Sequence, residues 1–357
     1  MKRILRFALL ILLLAIAAVG VKVGSEFYPL VRGAFSVQKL SDGLYYMEFH
    51  GDDGFDGLLE QGGGRTSGEM VSYINSFLSR GHSKGDSVES ASQDFGCSAM
   101  TVRSPEGGVL MGRNFDFGSA TGLIVHNFPE NGYESVSTFN IEFLGMGEDW
   151  LPEGFKNRYI SLACLFFALD GINEKGLAVA DLMAGDDVQT HQETGKPALT
   201  TTAALKYLLD RAATVEEALS LLEGIDMHSD IGSAHHLAIS DASGRSVVVE
   251  YVDDRMVVVE SPMVANHYLC DAKLNVGLLE GDHRYEQLCM RYDQSDGIMT
   301  LDELTETMEA VTQETVEGKF LGTAWTMLMD LQRPSVTYYS RRDFDKEYHF
   351  ELKCDNL

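Results

Sequence analysis

The chain has 357 residues and a mass of 39.4 kDa, which allows one large domain or two ordinary ones. Hydrophobic residues make up 45% of the sequence and charged residues 23%, so the chain can bury a sizeable core and need not be disordered or fibrous, and we expect a globular protein. The net charge of -26 repels phosphate backbones, and no stripe of Lys and Arg interrupts it, so nucleic acid is excluded as a partner.

Residues 1–24 have the layout of a secretory signal. A basic start with three cationic residues precedes an uncharged apolar run of 15 residues, Phe7–Val21. Because this run is shorter than the roughly 20 residues of a comfortable membrane span, we favour cleavage over an uncleaved anchor. We therefore expect an exported protein that is either secreted or attached to the outer face of the cytoplasmic membrane.

Export affects the expected oxidation state of the cysteines. An oxidising compartment allows disulfides, and an odd number of cysteines leaves at least one thiol without a partner in the same chain. No CxxC pair is present, so the sequence does not support a zinc ribbon or a thioredoxin-like redox site. Cys164 lies in the apolar run SLACLFFAL and is predicted to be a small buried hydrophobe. The five cysteines are Cys97, Cys164, Cys270, Cys289 and Cys354.

The residue pattern of the sequence changes at Cys97. Before it, residues 64–96 hold one helical pattern, followed by a polar Ser/Gly/Asp stretch that predicts an exposed linker. After it, CSAMTV, SPEGG and VLMGRNFDF predict a strand, a tight turn and a second strand. The helical pattern consists of Met70, Tyr73, Ile74, Phe77 and Leu78.

The rest of the chain alternates hairpins with helices. SLACLFFALDGINEKGLAVADLMA predicts two strands around the turn GINEKG, and HHLAISDASGRSVVVEY predicts a hairpin around DASG. Helices are predicted over 200–213 and 214–222, the second opening with a Thr-x-x-Glu capping box. Later strands are RMVVVES, TAWTMLMDL, SVTYYS and YHFEL, with helices near 280–294 and 301–313. These segregated groups indicate a layered α+β fold rather than a doubly wound parallel sheet.

The hairpin that begins at Cys97 has a geometric consequence. If its turn is centred near Glu106, position 97 lies opposite position 115, which brings Arg113 and Asp116 beside Cys97. Strict pleating places Arg113 and Asp116 on opposite faces of the sheet. A bulge or a twist at the strand end is therefore needed for both to serve one site.

This group of residues suits a cysteine nucleophile. Arg113 would favour the thiolate, and Asp116 could bind an ammonium group. The intact chain offers no ammonium there, but a cut between Gly96 and Cys97 would create an α-amine with an ordinary pKa of about 8. Cys97 would then supply both nucleophile and base, and Gly96 has no side chain to hinder attack on its carbonyl. The alternative is that Cys97 merely starts a buried strand.

The segment GCSAMTVRSPEGGVLMGRNFDF resembles the start of mature N-terminal nucleophile (Ntn) hydrolases of the choloylglycine hydrolase and penicillin V acylase group. That group includes relatives of acid ceramidase and of the penicillin-biosynthetic acyltransferase. The shared pattern is a Cys followed by Ser or Thr, and then a G-R-N-x-D block. The resemblance continues in order through GINEKGLAVADL, HHLAISDASGRSVVVE, VANHY, GDHRYEQL and TAWTMLMDLQRPSVTYY, while GLYYMEFHGDDGFDGLLEQGG is weakly similar to pro-segments of exported members.

The resemblance implies a four-layer αββα sandwich with two antiparallel sheets. It divides the chain into a signal peptide or membrane anchor (1–24), a pro-segment (25–96) and a catalytic domain (97–357). Removal of residues up to Gly96, by autocatalytic processing, would leave Cys97 as the N-terminal nucleophile.

The resemblance also implies the roles of the remaining site residues. Asp116 would hold the α-amine and Arg113 would tune the thiol. Asn266 would donate its side-chain amide to the oxyanion hole, and Arg284 would complete the polar network.

One position departs from the pattern of the group. Six residues after NEKGL, relatives commonly carry Asn or Tyr, whereas this chain has Met183. The backbone N–H of Met183 can still serve as the second oxyanion donor. A methionine makes the local pocket softer and less polar, so bile salts and penicillin V do not follow as substrates from the resemblance.

The predicted function is that of an exported amidase. It would hydrolyse a linear non-peptide amide, of the N-acyl amine or N-acyl amino acid type, through a thioester on Cys97. No metal or organic cofactor is expected, and the partner is a small-molecule amide, with membrane attachment through residues 1–24 and a homo-oligomer left open. Two alternatives are an acyltransferase on the same fold and a non-catalytic envelope binding protein.

The histidines add no competing site. His235 and His236 are adjacent and would point to opposite faces of a strand, which argues against a shared metal. His267 and His283 adjoin proposed site residues, but we assign them no direct role.

Overall fold

The computed structural model describes residues 24–81, 96–118, 120–146, 150–186, 188–229, 233–314 and 322–353. The predicted signal or anchor up to residue 23, the linker over 82–95 and Cys354 lie outside the described residues. In the part that is described, no helix is both long and apolar enough to cross a membrane. The four cysteines in these ranges are free, and Cys164 is buried as predicted.

The helices and strands of the described residues follow in chain order. The helices are α1 (24–36), α2 (Phe55–Glu60), α3 (Ser67–Leu78), α4 (Gly154–Ile160), α5 (Thr201–Arg211), α6 (Val215–Glu223), α7 (Arg284–Gln294) and α8 (Leu301–Ala310). The strands up to the middle of the chain are β1 (Gln38–Ser41), β2 (Leu44–Gly51), β3 (Gly96–Arg103), β4 (Val109–Asp116), β5 (Gly122–Pro129), β6 (Ser135–Asn140), β7 (Asp170–Asn173), β8 (Ala178–Met183) and β9 (Ala198–Thr200). The later strands are β10 (Asp226–His228), β11 (His235–Ser240), β12 (Ser246–Val252), β13 (Arg255–Glu260), β14 (Met263–Val264), β15 (Thr323–Asp330), β16 (Ser335–Ser340) and β17 (Asp343–Glu351).

Two large sheets form the centre of the fold. One has nine strands in the order β1-β2-β5-β6-β7-β8-β11-β12-β13, and the other has six in the order β14-β3-β4-β15-β16-β17. Neighbouring strands are antiparallel throughout both sheets, except that β2 and β5 run parallel. A separate parallel pair is formed by β9 and β10.

The sheets face each other and carry helices on their outer sides. β3 contacts β8 across the interior, α5 packs on β7 and β8, and α7 and α8 pack on the six-stranded sheet. This is the predicted αββα sandwich. Because β4 lies between the other sheet and a helix, all eight of its residues are buried, including three polar ones. The sandwich thereby brings charged side chains of a central strand into the core.

The segment before Cys97 belongs to the same sandwich. The predicted catalytic domain begins at Cys97, but β1 and β2, which precede it, are also part of the nine-stranded sheet. Leu30 and Phe49 from this segment lie in one hydrophobic core with Leu123 and Phe166 from the later part of the chain. The change of residue pattern at Cys97 therefore does not mark a boundary between separately packed domains.

Most of the predicted elements are present, with two local differences. The run Ser161–Phe166 is a buried 3-10 helix, and the strand that follows it is only Asp170–Asn173, which includes the first three residues of GINEKG. The prediction of a strand over the whole run was therefore wrong. A short continuous apolar run fits a buried helix and a buried strand equally well. At the start of α6, the Thr214 hydroxyl accepts from the backbone N–H of Glu217, so Thr214 is the N-cap as predicted. The Glu217 carboxylate accepts from the backbone N–H of Ala213 rather than from that of Thr214, so the predicted capping box is not completed.

Candidate active site

The hairpin of β3 and β4 has the predicted register. Cys97 pairs with Phe115 and Gly96 with Asp116, so position 97 does lie opposite position 115. The turn between the strands contains Gly107, whose positive φ of 88° favours glycine. Local turn geometry thus places the thiol next to the polar end of β4.

Cys97 is fully buried and each of its polar groups has a partner. Its backbone N–H donates to Asn266 Oδ1 over 2.7 Å, and its carbonyl accepts from Arg284 Nη1 over 3.0 Å. Arg113 Nη2 donates to the thiol sulfur over 3.3 Å. Three residues predicted for the site therefore contact three different groups of Cys97.

Arg113 is held in the core between the two sheets. Its Nη2 donates to the carbonyl of Asp181 over 3.0 Å, and its Nε lies 3.0 Å from Asp170 Oδ2. Trp325 Nε1 donates to the same carboxylate oxygen over 2.9 Å. The guanidinium also lies 4.8 Å from the ring centre of Phe115, within cation–π range. These contacts fix the guanidinium beside the thiol.

Asp116 lies on the other face of β4, as strict pleating requires. Its Oδ2 accepts from Arg284 Nη1 over 2.8 Å, and its Oδ1 accepts from Thr323 Oγ1 over 2.6 Å. A bulge does occur here, but in β15, where Ala324 has no counterpart on β4. Arg113 therefore contacts the thiol of Cys97, whereas Asp116 is connected to the backbone carbonyl of Cys97 through Arg284. Burial raises the pKa of Asp116 even though Arg284 acts to lower it.

Arg284 connects the parts of this site. It begins α7 and is only 7% exposed, although on sequence grounds alone it reads as a solvated charge. Its Nε and Nη2 donate to the two oxygens of Asp282, and Nη2 also donates to Asn266 Oδ1 over 2.9 Å. Although burial acts to raise it, the pKa of Asp282 is lowered by the hydrogen bond and charge of Arg284. One guanidinium thus bridges Cys97, Asp116 and Asn266.

Asn266 and Met183 meet at the end of β8. Asn266 Nδ2 donates to the carbonyl of Met183 over 2.9 Å, while its oxygen faces the backbone N–H of Cys97. An amide nitrogen carries two hydrogens, so this bond uses one of them. The oxyanion roles of the Asn266 amide and of the Met183 N–H stay predictions.

The thiol is protonated in this intact chain. Burial raises the pKa of Cys97 to about 12, and the nearby Asp116 and Asp181 add to this effect. Arg113 and Arg284 act in the opposite direction without overcoming burial. Arg113 does lower the pKa of Cys97, as expected, but desolvation raises this pKa by more than Arg113 lowers it.

Several residues around the site were missed from the sequence. Asp170, Asp181 and Asp282 contact the two site arginines, and Thr323 contacts Asp116. A signal was available for Asp170, because an acid after the apolar run LACLFFAL is unusual unless it is paired.

His235 and His236 point to opposite faces of β11, as predicted. His235 bonds the carboxylate of Asp181 at 2.9 Å and 3.0 Å, whereas His236 bonds Glu250 on the other face of β11. His267 packs edge-on against Tyr285. Among the residues that the structure describes, no group of three or more His, Cys, Asp or Glu side chains could hold a metal ion.

Two cavities differ in their relation to the site. A cavity of about 350 Å³ lies beside it, lined by Phe117 and by Thr323, which bonds Asp116. A larger one of about 1110 Å³ lies between the 61–81 region and residues 195–197, where none of the site residues lines it. Among the described residues that line these two cavities, neither Cys97 nor any other residue predicted for the site is found.

Comparison with known proteins gives matches at the level of family and fold. Residues 97–267 match the model of the linear amide C-N hydrolases, choloylglycine hydrolase family. A penicillin V acylase from Pectobacterium atrosepticum is 35% identical over 103 residues, which span 26% of this chain and 27% of that protein. Two solved structures of a conjugated bile acid hydrolase from Clostridium perfringens, a Cys-to-Ala mutant and an Arg-to-Leu variant, are 18% identical. They cover 71% of this chain and 92% of their own, with TM-scores of 0.52 and 0.53. This likeness shows the fold.

Proposed function

We propose that the chain hydrolyses a linear amide with a cysteine nucleophile, because residues 97–267 match the choloylglycine hydrolase family of linear amide C-N hydrolases. The substrate is a linear non-peptide amide, and the acyl intermediate is a thioester on Cys97. The observation that carries the proposal is the convergence on Cys97. Arg113 contacts its sulfur, Arg284 its carbonyl and Asn266 its backbone nitrogen, all within the core.

The first step is self-cleavage after Gly96. The Cys97 sulfur attacks the Gly96 carbonyl carbon, the peptide C–N bond breaks, and the thiol proton passes to the departing amine. Water then hydrolyses the resulting thioester, which leaves a carboxylate on Gly96 and a free thiol on Cys97. Asp116 suits the new amine, because it lies opposite Gly96 in the hairpin, next to the nitrogen that the cut would release.

Turnover uses the α-amine of Cys97 as the base. The amine takes the thiol proton, and the thiolate attacks the substrate carbonyl. Negative charge develops on the carbonyl oxygen, where the Asn266 side-chain nitrogen and the Met183 N–H stabilise it. The ammonium then protonates the leaving amine, and water, deprotonated by the regenerated α-amine, hydrolyses the thioester. No step of this sequence calls on a metal or an organic cofactor.

The substrate is an N-acyl amine or an N-acyl amino acid. The named relatives make penicillin V and conjugated bile acids the first compounds to test. Met183 supports a more apolar acyl group at this position. We also propose export, on the basis of the basic start and apolar run in residues 1–24.

The test begins with intact mass and N-terminal sequencing of the purified protein. The proposal expects a chain that starts CSAMTVRS, and release of free amine from a panel of N-acyl amides. Cys97→Ala should abolish both cleavage and turnover. Cys289→Ala is the matched control, because Cys289 is also a free thiol but lies outside the site. A competing amine in the assay separates hydrolysis from acyl transfer.

Two results would contradict the proposal. One is a folded, active protein that still carries Gly96 joined to Cys97, since the α-amine would then be absent. The other is cleavage that persists in Cys97→Ala, since the cut would then come from another protease.

A further inference from the structure

One loop carries a residue of the site at each end. Asn266 precedes it and Arg284 follows it, with residues 267–283 between them. The start of this loop is bonded to a single buried carboxylate, that of Glu250 on β12. We propose that Glu250 is a positioning residue, which holds Asn266 in place beside Cys97. Its effect on turnover rests on the proposed function, whereas its effect on the loop is measured without turnover.

Glu250 is fully buried and accepts from two consecutive backbone N–H groups of the loop. Its Oε1 accepts from Leu269 over 2.7 Å, and its Oε2 accepts from Cys270 over 2.9 Å. His236 Nδ1 lies 3.3 Å from Oε1. Although burial acts to raise it, the pKa of Glu250 is lowered by the hydrogen bonds from His236 and from the Leu269 backbone. Glu250 is therefore a charged acceptor, and hydrogen bonds to charged acceptors are stronger than those between neutral groups.

These bonds fix the chain on the far side of Asn266. The two N–H groups belong to the third and fourth residues after it, while Val264, two residues before it, pairs with Ala99 on β3. Asn266 is thus held between the strand of the nucleophile and a strand of the other sheet. Its Oδ1 accepts from the Cys97 N–H and its Nδ2 donates to the Met183 carbonyl. Release of one anchor would let the amide move away from both groups.

The rest of the loop has anchors of its own. Lys273 Nζ donates to Asp186 Oδ2 over 2.6 Å, and both side chains are partly exposed. Tyr268 and Cys270 belong to a small buried cluster with Ala184. Loss of the bonds to Glu250 should therefore loosen the start of the loop without detaching all of it. The charge of Glu250 is costly to bury unless donors replace water, and here those donors are backbone groups that follow Asn266.

Glu250→Gln tests this role with almost no change of volume. Each carboxylate oxygen faces a backbone N–H, so either orientation of the glutamine amide places an NH₂ group against a donor. We expect kcat to fall at least about tenfold with little change in KM, since Asn266 acts on charge that develops in the transition state. Affinity for an acyl aldehyde, which forms a tetrahedral adduct on the Cys97 thiol, should fall by a similar factor. This affinity does not depend on the fraction of active protein.

Cys270 reports on the loop without any turnover. It is a free thiol, only 4% exposed, and its N–H is one of the two that Glu250 accepts. In Glu250→Gln, iodoacetamide followed by mass mapping should label Cys270 at least about tenfold faster than in wild type. Cys164, buried in the main core, is the internal reference and should label at the wild-type rate. If Cys164 also labels faster, the variant is unfolded, and the same measurements are made on Glu250→Asp, which keeps the charge but shortens the side chain.

Glu134→Gln is the matched control. Glu134 is also buried, and its carboxylate bonds His126 Nε2 over 2.8 Å. His126 lies on β5, five strands away from β12 in the nine-stranded sheet. This control should leave kcat, aldehyde affinity and Cys270 labelling at their wild-type values. Equal changes in the two variants, or wild-type labelling of Cys270 in folded Glu250→Gln, would overturn the proposal.

Failure of the proposed function gives a different result. If the wild-type protein hydrolyses no amide, the proposed function is wrong, and Cys270 labelling still tests whether Glu250 holds the loop. If the wild type is active and folded Glu250→Gln frees Cys270 without lowering kcat or aldehyde affinity, the positioning role is wrong.

Discussion

Replacement of Arg284 by lysine tests how much of the site depends on one guanidinium. The arginine side chain makes five hydrogen bonds, two of them to Asp282 and one each to Cys97, Asp116 and Asn266. A lysine ammonium keeps the charge but has three donors at a single point. At least two of the five bonds are therefore lost in Arg284→Lys.

The expected cost follows from those two bonds. A hydrogen bond to a charged group contributes about 1.5–3 kcal/mol, so the loss lowers the free energy of unfolding by about 3 kcal/mol. Misplacement of Asn266 and of the Cys97 carbonyl slows turnover by about 100-fold, which corresponds to about 2.7 kcal/mol in activation free energy. Arg284→Met should be worse, because it leaves Asp116 buried without a cation.

The assay separates stability from catalysis. Urea unfolding is measured in a Cys97→Ala background, so that all variants remain uncut, and turnover is measured in the Cys97 background. Arg291→Lys, two turns further along α7, is the control and should change neither quantity. If Arg284→Lys unfolds and turns over like wild type, the assignment of Arg284 as the organising residue is refuted.

Four further predictions concern packing and proton binding. Gly96→Val should slow cleavage at least about tenfold, because a Cβ at Gly96 would already lie 3.3 Å from Asp116 Oδ2; an unchanged cleavage rate on denaturing gels would contradict this. In an uncut variant, iodoacetamide followed by mass mapping should label Cys289 well before Cys97 at neutral pH, since the Cys97 pKa is about 12. The unfolded thiol loses its proton near pH 8.5 and the folded one near 12, so this group lowers stability as pH rises above about 9. Burial raises the pKa of Asp210 to about 7, so the folded chain keeps a proton that the unfolded chain releases above about pH 4. Stability from this group should fall between pH 4 and 7, and Asp210→Asn should flatten that slope in urea unfolding; an unchanged slope would refute the assignment.

Local features of the sequence were sufficient for the hairpin and for several helices. The register of Cys97 opposite Phe115 follows from a tight turn and from the two-residue period of a strand, both of which are short-range. The N-cap at Thr214 is read in the same way. The order of the family motifs also pointed to the sandwich, although β5 and β6 were not recognised among them.

The environment of the thiol was beyond the reach of such patterns. Asn266 and Arg284 approach Cys97 from 169 and 187 residues away, so their contacts depend on how β14 and α7 pack on β3. The protonation of the thiol also depends on burial, which outweighs the neighbouring arginines. Charge and residue type suggested a thiolate, and only the packed core shows that the intact chain holds a thiol.

The segments before and after Cys97 show the same difference between what neighbouring residues determine and what long-range packing determines. By itself the sequence determined that a polar linker gives way to strand patterns at Cys97, and that Gly96 precedes it. It also placed Arg113 and Asp116 on the second strand of the hairpin. All of these are properties of residues that are near one another in the chain. The tertiary structure decided that β2 pairs in parallel with β5, more than 70 residues further along. Parallel pairing has no local turn to announce it, and its stability comes from burial shared with the rest of the sheet.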